Sequence, residues 1–374
     1  MLYRRFGKTE QRLSAFSFGA MRFLASEENA VETIFKAVAL GINHLETAKG
    51  YGKSEEYIGA ALQAGLDRQS IFLTTKIAPT PDRDSMAQLI ERSLTRLKTD
   101  YLDNLALHGL NTPKHFELVT KKDGCMRAVR EAVEAGLIRH VGFSTHGPLE
   151  LILDLMDTDL FEFANLHYYY FNQRNAQAIQ RAHEKDMGVF IISPTDKGGQ
   201  LYAPPDKLKA LCQPFTPIEL NHRFLLSDPR IHTLSLGAAS VDEFTAHMTV
   251  ADQGMSLTSE EKQAFGRIEQ ALIEIKPDLC EQCFACLPCP ENINIPEVLR
   301  LRNLAVGLDM VDFGQYRYNM FEKAGHWFPG TKGNRCTDCG DCLPHCPVNL
   351  PIPTLLRDAH QRLAAGERKR LWED

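Results

Sequence analysis

The sequence predicts an α/β protein: a (β/α)8 TIM barrel followed by a mainly α-helical, cysteine-rich domain. Three observations carry this. Between Ala15 and Val250 short apolar runs alternate with helical patterns eight times, the arithmetic of a barrel of about 250 residues. The 374 residues exceed one typical domain, so a large barrel plus an appendage fits the length. Eight of the ten cysteines lie between Cys280 and Cys346.

The strand candidates are Ala15–Gly19, Ile42–Leu45, Ile71–Thr75, Leu102–Leu107, Ile138–Phe143, Phe163–Leu166, Gly188–Ile192 and Ile231–Leu236. Their nearly unbroken apolar character suits parallel strands covered on both faces. Helical spacing fills the gaps: Val129, Ala132 and Val133 share a face stopped by Gly136, a C′ glycine. Ser54 reads as an N-cap, with Glu55 and Glu56 in the first turn where the helix dipole favours acids. An open doubly wound sheet is the alternative, but its Gly-rich phosphate turn is missing from Phe18-Gly19-Ala20-Met21-Arg22. Leu257–Ile275 reads as a helix broken by Pro277, placing the boundary between a 1–275 barrel and a 276–374 cysteine-rich domain; Ile295–Val306 and Asp309–Phe321 are helical within the latter.

Hydrophobic residues make up 44% and charged residues 24%, a globular balance that excludes disordered and fibrous classes. The net charge of -6 comes without a long basic run, which argues against nucleic acid or an anionic membrane as partner. The first residues lack the apolar stretch of a secretory signal, and no window approaches ~20 apolar residues, so the expectation is a cytoplasmic chain.

The cysteines form two runs, Cys280, Cys283, Cys286, Cys289 and Cys336, Cys339, Cys342, Cys346, each closed by a proline. In a reducing compartment this means metal. Three thiols at three-residue intervals can wrap one face of a cubane cluster; the alternatives are redox thiols or structural zinc, which usually takes ligand pairs with longer spacers. The segment resembles a two-[4Fe–4S] ferredoxin domain of the α-helical type. That resemblance implies two clusters, one on Cys280, Cys283, Cys286 and Cys346, the other on Cys336, Cys339, Cys342 and Cys289. The first run departs in having two residues rather than three before its last cysteine. Cys125 and Cys212 lie outside the runs and read as buried apolar residues.

Barrel chemistry sits at the C-terminal ends of strands, where the sequence puts Glu46 and Tyr51 after strand two, Lys76 after strand three, His108 after strand four and Ser144-Thr145-His146 after strand five. Singly these read as an ion pair, a capping aromatic and a loop histidine; together, in consecutive units, they read as a site.

Residues 1–275 resemble an aldo-keto reductase, on Gly41-Ile42-Asn43-His44-Leu45-Glu46 through Tyr51-Gly52-Lys53-Ser54-Glu55-Glu56, Thr74-Thr75-Lys76, Tyr101-Leu102-Asp103 with Leu107-His108, Val141-Gly142-Phe143-Ser144 and Leu236-Gly237-Ala238. With the tail, the chain is similar to the iron-sulfur-containing subgroup of that family. The resemblance implies reduction of an aldehyde or ketone by nicotinamide hydride, with Tyr51 as proton donor, Lys76 lowering its pKa, Glu46 holding the lysine and His108 orienting the carbonyl. Glu46 stands where the family has aspartate, and Asn165 where it commonly has glutamine. Cofactor contacts are implied at Ala20, Met21, Ser144, Thr145, Asn165, Ser193, Pro194, Gly237 and Ser240. Ile192 occupies the position of a stacking aromatic, and Glu243 that of an arginine for the 2′-phosphate, so NADPH is the default and NADH stays open. A one-electron redox protein is the partner the clusters imply. A redox-sensing or electron-transfer chain on a barrel with little reductase activity is the competing reading, and purely structural clusters are a third.

Overall fold

The computed structural model describes residues 1–23 and 25–364. All eight expected strands form, in one closed parallel barrel: β3 (Phe16–Gly19), β4 (His44–Glu46), β5 (Phe72–Ile77), β6 (Leu102–His108), β7 (Ile138–Ser144), β8 (Phe163–Leu166), β9 (Gly188–Ile191) and β10 (Thr233–Leu236), with β10 closing on β3. A hairpin of β1 (Tyr3–Arg5) and β2 (Arg12–Ser14), absent from the sequence reading, precedes it. Phe6, between these strands, packs on Phe163 and Phe190 at the N-terminal strand ends. Gly188 permits this: a Cβ there would lie 2.7 Å from the Phe6 ring. The hairpin thus fills the barrel end opposite Glu46 and His108.

The main core lies between the strands and their helices, with Leu45, Leu73 and Leu105 facing residues such as Ile58, Ile90 and Val129. Inside the barrel a buried polar layer lies against the Phe190 ring. His44 bonds Ser17 Oγ (2.6 Å) through Nδ1 and Thr74 Oγ1 (2.7 Å) through Nε2, and Ser17 also meets Thr233 (2.7 Å). Burial holds His44 down at about 3, so it is neutral.

Gly136 takes the left-handed conformation expected of a C′ glycine (φ 74°). Ser54 does not cap its helix. It is the first residue of helix Ser54–Gln63, and its hydroxyl instead bonds Thr47 Oγ1 and the Ala20 carbonyl. Burial beneath the Ala20 loop decides this, because a buried hydroxyl takes whichever partner the loop brings.

The chain divides into two compact units, Met1–Pro194 with Asn221–Ser256, and Thr195–Leu220 with the residues from Leu257 onward. Helix Ser259–Ile273 packs on Ile295–Leu308 and Asp206–Cys212 within the second unit. Arg267 joins it to the latter by donating to the Leu211 carbonyl (2.9 Å). Helices Val311–Tyr318 and Ile352–Leu363 complete the second unit around Ile295–Leu308. Among the described residues no helix is long and apolar enough to cross a membrane.

Candidate active site and cluster sites

Glu46 ends β4, and Lys76 lies one residue before the end of β5. Thr47 N–H donates to Thr74 O (2.8 Å) and Lys49 N–H to Lys76 O (3.0 Å), which carries the ladder past the strand end; a turn closed by Tyr51 N–H on Ala48 O (3.0 Å) then sets the phenol over the mouth. Lys76 Nζ donates to Glu46 Oε1, and both side chains are buried, at 1% and 3% exposure. Lys76 Nζ also lies 4.7 Å from the centroid of the Tyr51 ring. The His108 ring stands edge-on to Tyr51, with centroids 5.8 Å apart and planes at 87°. All four proposed catalytic side chains therefore meet.

Burial lowers the Lys76 ammonium, against the opposing pull of Glu46. The phenol departs from expectation. Burial, and then the Glu46 carboxylate, push Tyr51 well above its ordinary value. Tyr51 holds its proton at neutral pH, as a donor must.

Of the cofactor residues, Ser144 ends β7 and Asn165 lies in β8, paired with it in register. Asn165 Nδ2 donates to Glu46 Oε1 (3.2 Å), while its buried Oδ1 has no hydrogen-bond partner. An orphaned buried acceptor at the mouth fits a carboxamide N–H. Thr145 Oγ1 is spent on the loops, donating to Leu110 O (2.7 Å) and accepting from Gly147 N–H (2.9 Å). Ala20 N–H donates to Glu46 O (2.8 Å), and Met21 is exposed. Ser193 is left-handed (φ 52°), Pro194 accepts from Asn221 (3.0 Å), and Ile192 O accepts from Tyr169 OH (2.6 Å).

After β10, Arg22 donates to Gly237 O (2.7 Å) and to Glu243 (2.6 Å), whose carboxylate also accepts from Ala239 N–H (3.2 Å); Ser240 O accepts from Glu243 N–H (3.3 Å). An arginine does stand at this loop, but it comes from the first βα loop. Sequence reasoning missed Arg22, since 215 residues separate it from Gly237 and no spacing links them.

The two cysteine runs surround two hollows. One, of about 360 Å³, is lined by Cys280, Cys283, Cys286 and Cys346. The other, of about 350 Å³, is lined by Cys289, Cys336, Cys339 and Cys342, with Cys286 on the wall shared by both. Both runs use the same backbone device. The residue before and the residue after the second cysteine are left-handed: Gln282 (56°) and Phe284 (62°) in the first, Asp338 (59°) and Gly340 (82°) in the second. Non-glycine residues there cost about 1–2 kcal/mol each, strain of the kind that clusters at functional sites.

Among the described residues no three His, Cys, Asp or Glu groups close on a point as for a single metal ion; the thiols stand around space. Burial raises Cys286 to about 12 and also raises Cys280 and Cys342, with neighbouring thiols adding to each. Crowded thiolates need a cationic core, so the donor set and the hollows fit iron–sulfur clusters. Cys125 and Cys212 are buried and free.

Comparison with known proteins agrees. The model of the Aldo/keto reductase family matches residues 15–263, and that of the 4Fe-4S dicluster domain matches 279–350. An uncharacterized oxidoreductase YqkF of Bacillus subtilis is 24% identical over 301 residues, covering 71% of this chain and 95% of that protein. Methylglyoxal reductase DkgB of Escherichia coli O157:H7 is 29% identical over 130 residues, 34% of this chain and 47% of the relative. The aldo-keto reductase AKR11C1 from Bacillus halodurans, in its holo form, superposes with a TM-score of 0.62 at 25% identity, over 71% of this chain and 96% of that one.

Proposed function

This chain belongs to the aldo/keto reductase family and carries a 4Fe-4S dicluster domain, and we propose that it reduces a small aldehyde or ketone with NAD(P)H, using Tyr51 as proton donor. The meeting of Tyr51, Lys76, Glu46 and His108 at the C-terminal strand ends supports this reading most directly. The functional division is proposed at 275/276, between the two family matches.

Bound across Ser144, Thr145, Asn165 and the Gly237–Ser240 loop, with Ala20, Met21, Ser193 and Pro194 flanking, NAD(P)H would supply a hydride. Hydride reaching the carbonyl carbon builds negative charge on oxygen. The Tyr51 O–H bond breaks as its proton passes to that oxygen, giving the alcohol. Lys76 then stands beside the phenolate, and Glu46 keeps the ammonium charged despite its burial. His108 donates to the same oxygen and orients it. A 1% exposed lysine without Glu46 would be an uncompensated buried cation, costing about 3–5 kcal/mol.

Hydride carries two electrons and each cluster cycles by one. The barrel residues are therefore assigned to carbonyl reduction, and the clusters to a one-electron protein partner or to holding the second unit together. A reducing, cytoplasmic setting suits the thiols. The test is anaerobic titration of the full chain with NADPH and with NADH, with and without 4-nitrobenzaldehyde. Nicotinamide oxidation only with the aldehyde, at unbleached clusters, is expected. Rapid cluster reduction by NADPH alone would overturn the separation, and no aldehyde reduction would overturn the reductase reading.

A further inference from the structure

Glu46 and Asn165, two positions at which the chain departs from the pattern it resembles, are the two ends of one hydrogen bond. Glu46 Oε1 accepts from Lys76 Nζ and, at 3.2 Å, from Asn165 Nδ2, across 119 residues of sequence. Glu46 is 3% exposed and Asn165 fully buried. With its N–H committed to the carboxylate, the amide cannot flip without losing that bond, and Oδ1 is left as the unpartnered acceptor.

We propose that Asn165 is a positioning residue for the acid catalyst. It fixes the Glu46 oxygen, and through it Lys76 beside the Tyr51 ring, with Glu46 and Asn165 acting as one length-matched pair. This rests on the reading of Tyr51 as proton donor.

The argument is one of reach. Glutamate places two methylenes between backbone and carboxylate, and asparagine one before its amide. Glu46→Asp withdraws the carboxylate by about the length of one C–C bond, ~1.5 Å, which takes a 3.2 Å contact beyond hydrogen-bond range. Released from Asn165, the shortened carboxylate loses its fixed place, and Lys76, which it holds, is no longer fixed 4.7 Å from the Tyr51 ring. Asn165→Gln adds the same length from the other side and drives the amide into the shared oxygen. Made together, the two changes restore three methylenes between the backbones and return the meeting point to one hydrogen bond, displaced along the same line. No other pairing of shortening and lengthening at this oxygen does so.

The experiment compares wild type, E46D, N165Q and E46D/N165Q, each as the full chain purified anaerobically with its clusters, in reduction of 4-nitrobenzaldehyde by NADPH. Each single variant is expected to lose about 10- to 100-fold in kcat. The NADPH dissociation constant of E46D, from nicotinamide fluorescence, is expected to stay within about two-fold of wild type, placing its loss in the chemical step. The double variant is expected to recover about ten-fold or more over the weaker single. Losses that multiply in the double variant would overturn the pairing, as would an N165Q variant with wild-type kcat. Thermal unfolding of the same four proteins gives a readout that needs no turnover: Tm is expected to fall in each single and rise again in the double, and additive falls would overturn the pairing. A wild-type chain that reduces no aldehyde overturns the reductase reading itself, and the Tm cycle then decides whether the pair is length-matched.

Discussion

Cys346 belongs to the second cysteine run by sequence but lines the hollow of Cys280, Cys283 and Cys286. Cys289 makes the reverse crossing. If each hollow holds one [4Fe–4S] cluster, the loaded chain carries about eight irons, and losing one complete ligand set leaves about four. Alanine replacements separate crossed from run-by-run ligation by their combinations, alanine being preferred because serine oxygen can still ligate. Under crossed ligation, C280A and C346A damage the same cluster, so the double variant is expected to keep about four irons, as each single does; C280A/C289A is expected to keep almost none. Run-by-run ligation reverses the pairs: C280A/C346A would lose both clusters and C280A/C289A only one. Iron and acid-labile sulfide analysis of anaerobic protein measures this, with far-ultraviolet circular dichroism confirming an intact barrel. The reversed pattern would refute the assignment, and zinc near two per chain would refute the clusters.

Tyr51→Phe removes the proton donor with little change of shape and is expected to lower kcat by about 10²- to 10⁴-fold with NADPH affinity unchanged; undiminished turnover would remove Tyr51 from its role. Burial holds His44 at about 3 and both His232 and His247 at about 4, below the ordinary 6.5. The unfolded chain takes up protons below pH 6.5 that the folded chain refuses until about pH 4. Stability is therefore full above 6.5 and falls on acidification, by up to about 1.4 kcal/mol per pH unit for each histidine; a Tm that holds or rises over that window would refute it. Glu243 ties down Arg22 beside the Gly237 loop, so Glu243→Gln is expected to free the guanidinium and shift the NADPH-to-NADH preference toward NADPH by about ten-fold. An unchanged ratio of the two KM values would place the 2′-phosphate elsewhere.

Hydrophobic burial on both faces writes each barrel strand as a nearly unbroken apolar run, so all eight strands were legible locally; Phe163–Leu166 was found to the residue. The cysteine runs were legible for the same reason, since a thiol spacing of three is a property of one loop. The hairpin Tyr3–Ser14 was not, because strands of three residues carry too little alternation to register. Ser54 looked like a cap by residue type alone, and only the loop packed above it gave its hydroxyl other partners. The direction of the Tyr51 shift was also out of reach. It depends on how deeply the phenol is buried and how near the Glu46 carboxylate stands, and that is a matter of ångströms. Sequence determined which residue types stand at the strand ends, because period and spacing are local. Tertiary structure alone decided which of them touch: Asn165 with Glu46 and Arg22 with Glu243. The register of a closed barrel and the crossing of two loops bring together atoms that no sequence interval relates.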